Sequence, residues 1–394
     1  METLCFEGNY TKRFARYKEF CHEQVEVVMS EFMKRFCNSW LEEEYTMQSG
    51  AGKYERSQER RDYRGGHYER ELITSRGIVK VKVPRGFQKK YSYTLFEKYQ
   101  RRTVEFDEVV VSALLNGHSS RKAQVFFKKL LGEGTVSHQT AVKTLRRFDE
   151  QVKDWKSRAI QNNAVILVLD AVYFKGVVRH LKTAKPVLFG YAVYSDGREE
   201  VIGFELAQGE SLNAWYKFCI NLYERGLKDV RLIVRDDCAA IKEAISLVWP
   251  KALDQSCVFH IMQNLTKKLK GCVDKKAIIQ DVSWLYEAQS EEEFYRWAAK
   301  FKVKWQKYRY HEAVKYLFDQ LADSIKYFAL PKEYWSIAKT TNRLERLFEE
   351  LKRRVRVFRR FPNTLSCERW IYALLKLNQK VNSDSIALQS QHNS

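Results

Sequence analysis

Proline and glycine are both scarce, at 5 and 17 among 394 residues. So few breaks argue for long helices and against a low-complexity chain. Cysteine is thin and scattered: the 8 cysteines form no C-x-x-C pair and no even framework in a small domain. That excludes a disulfide scaffold and predicts a reduced, intracellular chain. Long apolar runs are missing too. No stretch approaches the ~18 consecutive apolar residues of a membrane span, and the N-terminal segment carries Glu2, Glu7, Lys12, Arg13 and Arg16 where a leader would be apolar. The sequence therefore predicts neither secretion nor a membrane span, and places the protein in the cytoplasm. Acid is the minority charge, 49 residues against 69 basic ones, for a net charge of +20 and a pI near 9.4. With 14% aromatic residues beside that charge, the expected partner is nucleic acid. What is present in quantity is core: 45% hydrophobic residues, enough for two or three domains at this length.

The stretch AVILVLDAVYFK at 164–175 buries a problem. Asp170 sits in an apolar, β-branched run with no compensating charge until Lys175, and a buried charge is costly unless it is paired or holds a metal. VRLIVRDD at 230–237 repeats the pattern and reaches Asp236, while Glu345 stands in TTNRLERLFEELKRR, the first turn of a basic helix. Two strand-end aspartates and a helical glutamate are hard oxygen ligands of the kind that hold Mg²⁺ for phosphoryl chemistry. These residues point to metal-dependent nuclease and strand-transfer chemistry on DNA.

Taken in order, the chain reads as an α/β protein in several segments. Residues 1–50 are predicted helical, with Val25, Val27, Val28, Phe32 and Phe36 at helical spacing. Residues 51–103 are basic and strand-rich; in ITSRGIVKVKVPR, Lys80 and Lys82 share one strand face, followed by Arg85. That face suits a DNA backbone, or equally the protection of an exposed edge. Residues 104–155 alternate helix and turn, with breaks at Gly117 and at Gly132 or Gly134 and N-caps at Ser119 and Ser137. This is the layout of a helix-turn-helix-like DNA-binding region. In its last helix, SHQTAVKTLRRFDEQV, the side chains of His138, Gln139, Lys143, Arg146 and Arg147 are able to reach bases or phosphates.

Residues 160–265 read as three antiparallel strands turning at SDG (195–197), a helix from Ser211 to Gly226, the strand VRLIVRD, a helix stopped by Pro250, and a short strand SCVFHI. That is the element order of a ribonuclease-H-like catalytic domain. In such a sheet the first strand is central and the strand after the helix lies beside it, so Asp170 and Asp236 are expected close together. Residues 266–334 form an all-helical insertion, with Ser290 and Glu293 as a capping box and Phe294, Trp297, Ala298, Phe301 and Trp305 on one face, read as core. The catalytic domain resumes over 335–380 with Glu345 and the basic run KRRVRVFRR, and 381–394 is read as a disordered tail.

The ordered set TSRGIVKVKVPR, NGHSSRKAQVFFKKL, LVLDAVYFKG, VRDDCAAIKEAISLVWP, SCVFHIMQNL and TTNRLERLFEELKRRVRVFRRFP resembles Mutator-type transposases of bacterial insertion sequences, from Tyr54 to Leu375. The resemblance implies an acid triad of Asp170, Asp236 and Glu345, each catalytic and a metal ligand, with Asp170 bridging two Mg²⁺ or Mn²⁺ ions per site. It further implies cleavage at terminal inverted repeats followed by attack of the freed 3′-hydroxyl on target DNA. Double-stranded DNA would be the partner, the protein at least a homodimer on it and associated with the nucleoid, and Lys352, Arg353 and Arg354 would hold the scissile strand. The family's C-x-x-H motif falls on Cys257 and His260; a zinc site, a DNA-positioning role and a core pair all stay open for it.

Two positions depart from the family pattern: Asp237 replaces a glycine, and Phe348 stands where asparagine is common. They keep alive an alternative, a transposase-derived sequence-specific DNA-binding protein without nuclease activity. A ribonuclease-H-type repair or RNA-processing nuclease would explain the sheet but not the helix-turn-helix-like region or the insertion.

Overall fold

A computed structural model describes residues 10–377 apart from 76, 89, 97–99, 132–134, 175–184, 307–309, 340–341, 356–360 and 362. The expected break at Gly132 or Gly134, the basic positions 356–360 and the tail 381–394 lie outside the described residues. The chain divides into two compact units, Met1–Leu145 and Arg146–Ser394.

In the first unit, helix α1 (Tyr10–Ser49) lies against a hairpin of β1 (Arg64–Thr74) and β2 (Gly77–Gly86). Val79, Val81 and Val83 alternate with Lys80 and Lys82, so the valines join Cys37 and Leu41 of α1 in one apolar cluster while the lysines stay exposed. Val25, Val27, Val28, Phe32 and Phe36 of α1 keep helical spacing but are exposed. Three short helices follow, α2 (Val104–Leu115), α3 (Ser120–Leu131) and α4 (His138–Leu145). Thr103 caps α2, Ser119 caps α3 and Ser137 caps α4, each hydroxyl accepting from a backbone N–H three residues on.

The helix predicted to run through SHQTAVKTLRRFDEQV is in fact two. Helix α4 stops at Leu145, and α5 (Phe148–Ser157) starts beyond a turn at Arg146 and Arg147. The two stretches serve different cores. Ala141 and Leu145 are buried on α4, whereas Phe148 packs on Tyr372 and Asp149 accepts from the buried Arg369 within the second unit.

The second unit is built on a five-stranded sheet of β3 (Ala164–Phe174), β4 (Lys185–Tyr194), β5 (Glu199–Leu206), β6 (Leu232–Arg235) and β7 (Leu253–Ser256), in the order β5-β4-β3-β6-β7. β3, β4 and β5 are antiparallel neighbours, and β6 and β7 continue the sheet in parallel with β3. The meander, its turn at Gly197 (φ 81°) and the neighbouring of β3 and β6 thus follow the expectation. This mixed sheet with its helices is consistent with a ribonuclease-H-like core.

Helices α6 (Leu212–Glu224) and α7 (Ala239–Val248) cover one face, burying Leu167, Leu169, Ile202, Trp215, Leu222 and Ile245 in a common cluster. The close approach of α6 depends on two glycines paired across β4 and β5, Gly190 and Gly203. A Cβ on Gly203 would come 2.9 Å from Cδ2 of Leu222 and 3.3 Å from the ring of Phe218.

The predicted strand SCVFHI is corrected. The last strand is Leu253–Ser256, and from Cys257 the chain turns into helix α8 (Val258–Lys268). Val258, Ile261 and Leu265 are buried at helical spacing, and the ladder ends where the Cys257 N–H donates to the Arg235 carbonyl at 2.7 Å. Then come α9 (Lys275–Leu285), α10 (Glu291–Trp305), α11 (His311–Ser324), α12 (Lys332–Lys339), α13 (Asn342–Val355) and a helix α14 over 364–377. Ser290 caps α10 by accepting from the Glu293 N–H at 3.2 Å, while the Glu293 carboxylate accepts from the Gln289 N–H. Phe294, Ala298, Phe301 and Trp305 are buried and Trp297 is half-buried, so the stripe of α10 is core with Trp297 at its edge. Gln255 of β7 is fully buried; its Nε2 donates to the Ala338 carbonyl and its Oε1 accepts from the Tyr327 N–H, both at 2.8 Å, which ties the end of α12 to the sheet.

Candidate active site

Asp170 is carried near the end of β3, the central strand, and is 5% exposed. One carboxylate oxygen accepts from the Ala171 N–H at 2.7 Å; the other, Oδ2, is buried with no hydrogen-bond partner. An uncompensated buried carboxylate is expensive, so the chain holds it for a purpose or keeps it protonated. Burial pushes its pKa up to about 8, with the charges of Glu345, Asp236 and Glu210 adding and the Ala171 hydrogen bond opposing.

Asp236 follows directly from the parallel register. Leu169 pairs with Arg235 across β3 and β6, which puts the next residues, Asp170 and Asp236, at one level on adjacent strands. Arg235 itself is 2% exposed. Its guanidinium forks onto Asp254 of β7 at 2.7 and 2.9 Å, and its third nitrogen donates to the Asp236 carbonyl at 3.0 Å. A side chain that sequence reading passed over therefore fixes the backbone that presents Asp236. The signal was a lone cation inside an apolar four-residue strand.

His260 arrives from the first turn of α8, whose start is anchored by the Cys257 N–H on the Arg235 carbonyl. Its Nδ1 lies 3.8 Å from Oδ1 of Asp236 and its Nε2 lies 3.7 Å from Oε1 of Glu345. Both gaps are too long for hydrogen bonds, and Nδ1 is buried without a partner. Glu345 comes from the first turn of α13. Ligand atoms of Asp170, His260 and Glu345 all lie within 4.8 Å of one another. Carboxylate oxygens with an imidazole nitrogen suit a divalent cation of the Mg²⁺ or Mn²⁺ type. Cys257, 1% exposed, lies outside this group.

The two departures from the family pattern have local accounts. Asp237 is exposed and its Oδ2 accepts from Gln320 of α11 at 3.3 Å, while its neighbour Asp236 keeps the place beside His260. Phe348 is buried against Phe189 of β4.

The expected DNA-contacting residues fall in both units. Lys80 and Lys82 face solvent but stand opposite Glu71 and Glu69 on β1, with Lys80 at 3.7 Å from Glu71. Arg85 lies over the ring of Tyr68 at 4.6 Å. Gln139 and Lys143 are exposed on α4; Arg146 and Arg147 are exposed in the turn before α5 and belong to the second unit. On α13, Lys352 is exposed, whereas Arg353 and Arg354 both engage Glu350.

The sequence model of the family described as "Transposase, Mutator family" matches residues 8–382. The chain belongs to that family. It is 33% identical over 367 residues to the transposase for insertion sequence element ISRM5 of Rhizobium meliloti (strain 1021), covering 91% of each chain. It is 29% identical over 376 residues to the transposase for IS406 of Burkholderia multivorans, covering 95% of this chain and 94% of the relative. The transposase for IS256 in transposon Tn4001 of Staphylococcus aureus is 28% identical over 347 residues, 86% of each chain. As a Mutator-family transposase, the protein is an enzyme of insertion sequence transposition whose chemistry rests on acidic residues and a divalent metal, and DNA is its partner. Among the described residues no helix of this transposase is long and apolar enough to cross a membrane.

Proposed function

We propose that Asp170, Asp236 and Glu345 are the catalytic acids, and that His260 stands with them as a fourth member of the site. The observation that carries this is the convergence of Asp170, His260 and Glu345 from β3, α8 and α13, together with the unpartnered, buried Oδ2 of Asp170. Asp170, Glu345 and His260 would hold a divalent cation, with Asp236 supplying a second carboxylate for a pair of Mg²⁺ or Mn²⁺ ions. When bound, such ions neutralise charge on the scissile phosphate and lower the pKa of water.

The chain's own residues do the rest. Asp170 offers a dry carboxylate whose negative form is favoured only beside positive charge. Arg235 keeps Asp236 from shifting, and Phe348 docks the helix of Glu345 on β4. Exposed Lys352, seven positions beyond Glu345 (352 − 345), offers the phosphate backbone an ammonium that no carboxylate engages among the described residues. The reaction is hydrolytic cleavage at the terminal inverted repeats, then attack of the freed 3′-hydroxyl on target DNA, without a covalent protein intermediate. Synapsis of two ends asks for a dimer or larger assembly, in the cytoplasm on the nucleoid.

In this reading, residues 160–265 and 335–380 form a ribonuclease-H-like catalytic domain with the insertion at 266–334. Residues 104–155 supply a helix-turn-helix-like DNA-binding region, although its last helix ends at Leu145. The placements of Asp237 and Phe348 support cutting over the non-catalytic alternative, since neither obstructs the acids. The test is Mg²⁺-dependent nicking of a duplex carrying the repeats that flank the reading frame, wild type against Asp170→Asn. Nicking lost in a variant that still binds DNA is expected; normal cleavage by that variant overturns the assignment.

A further inference from the structure

The open end of the β1–β2 hairpin carries two large aromatic side chains in water. Tyr63 is 68% and Phe87 76% exposed. The two residues are backbone neighbours across the strands, the Phe87 N–H donating to the Tyr63 carbonyl at 2.7 Å, one step beyond the Arg64–Gly86 pair. Exposed aromatics this prominent, held rather than merely left out, ask for an occupant.

They are held by Asp62, which is 3% exposed. Its carboxylate accepts from the N–H of Tyr63 at 2.8 Å, from the N–H of Gln88 at 3.0 Å and from the Tyr91 hydroxyl at 3.2 Å. A buried acid thus grips the backbone next to both rings, an arrangement whose desolvation cost buys a fixed presentation. The ladder also slips its register between Arg64 and His67, where Gly66 takes φ 87°, and a bulge of this kind turns the end of a strand relative to its body.

The surroundings are cationic. The Arg60 guanidinium lies 5.5 Å from the centre of the Tyr63 ring, and Arg61 and Lys90 are exposed. Among the described residues no ion pair engages Arg61 or Lys90, in contrast with Lys80 and its cross-strand Glu71. The Arg60 guanidinium also donates to the Gly52 and Glu55 carbonyls, which steadies it beside the ring. Aromatic faces flanked by cations match unpaired nucleic acid, where phosphates meet the charge and bases stack on the rings.

We infer that Tyr63 and Phe87, flanked by Arg60, Arg61 and Lys90, form a stacking platform for bases exposed where the DNA duplex is opened. The hairpin's open end is then a contact separate from the Lys80 and Lys82 face, where Lys80 lies 3.7 Å from Glu71. This inference rests on DNA being the substrate but not on the catalytic acids, so it is tested in EDTA, where cutting plays no part.

Wild-type full-length protein is cross-linked by light to a duplex with a short mismatched bubble carrying 5-iodouracil, and the peptides are mapped. Cross-links at Tyr63 or Phe87 are expected. The Tyr63→Ala/Phe87→Ala variant should bind the bubble at least ~10-fold more weakly with an unchanged salt slope, since stacking and not charge is lost. Tyr63→Trp and Phe87→Trp, which keep a stacking face, should bind as wild type. Arg61→Ala/Lys90→Ala should lower the salt slope by about 1 per residue. Cross-links confined to other segments, or an alanine variant that binds the bubble within about twofold of wild type, overturns the inference. Equal losses on bubble and intact duplex overturn the open-base stacking.

Discussion

The ring of Phe348 lies 5.0 Å, centroid to centroid, from that of Phe189, the residue opposite Asp170 across β3 and β4. Phe348 therefore fastens the helix of Glu345 to the strand pair of Asp170, both proposed catalytic acids. Phe348→Ala should destabilise the protein by about 3–5 kcal/mol and reduce cleavage far more than DNA binding. Phe348→Asn, which restores the commoner residue, should also lower the melting temperature by burying an amide among aromatic rings. An unchanged melting temperature for Phe348→Asn would show that the contact does not hold α13.

Arg235 and Asp254 form a fork inside the sheet, and removing either charge strands the other. Arg235→Met or Asp254→Leu alone should cost about 3–5 kcal/mol, while the double variant should regain much of the loss. Denaturant unfolding across the cycle measures this. Restored stability with cleavage still depressed is the expected signature, because the double variant lacks the donor to the Asp236 carbonyl. Full activity in the double variant would remove Arg235 from the positioning of Asp236.

Asp170 sets a pH dependence whose sign follows from its proton. Burial first, then the neighbouring acids, raise its pKa from 3.8 to about 8, so the folded chain keeps a proton that the unfolded chain has released. Between those values the stability of cation-free protein falls as pH rises, and above the folded pKa the penalty is complete. In EDTA, Asp170→Asn should melt higher than wild type at alkaline pH, with the difference closing toward the unfolded pKa. Melting curves that stay parallel across this range would contradict the buried carboxyl.

His260 lies among the proposed cation ligands, and Cys257 lies outside that group. Calorimetric Mn²⁺ titration without DNA should show affinity at least ~10-fold weaker in His260→Ala. Cys257→Ser should titrate as wild type. Equal loss in both variants would point to a general disturbance of α8 rather than a ligand.

On α13 the three basic residues should separate in salt titrations of DNA binding. Lys352→Ala should reduce the slope by about 1, because no carboxylate engages it among the described residues. Arg353→Ala should change it less, as Glu350 already holds that guanidinium at 2.7 and 2.8 Å. Identical slopes for the two variants would refute the distinction.

Much of the catalytic unit could be read from pattern. Alternation and the turn at Gly197 gave the meander, and strand order alone put Asp170 beside Asp236. Reading failed where tertiary partners decide. Val258, Phe259, His260 and Ile261 look like a strand in isolation, yet Ile261 and Leu265 complete a helical face once α8 has a sheet to pack on. The true strand, LDQS, hid because its buried members Gln255 and Ser256 are polar, Gln255 being satisfied by groups such as the Ala338 carbonyl, 83 residues away. The break at Arg146 and Arg147 carries no glycine or proline, and arises because the flanking stretches pack in different units. His260 carried its motif in the sequence, but only the fold shows which acids it meets.

Measured along the chain, Glu345 is 109 residues from Asp236 (345 − 236), but only 7 from Ala338 (345 − 338), which Gln255 holds. That clamp shortens the tether on which the glutamate must be brought home. On a logarithmic loop-closure scale the shortening is worth about 2 kcal/mol of chain entropy. Helices α9 and α10 can then breathe or change length while the glutamate stays on a short leash, so an amide buried in the sheet's last strand lets a long excursion behave, at the acids, like a tight turn.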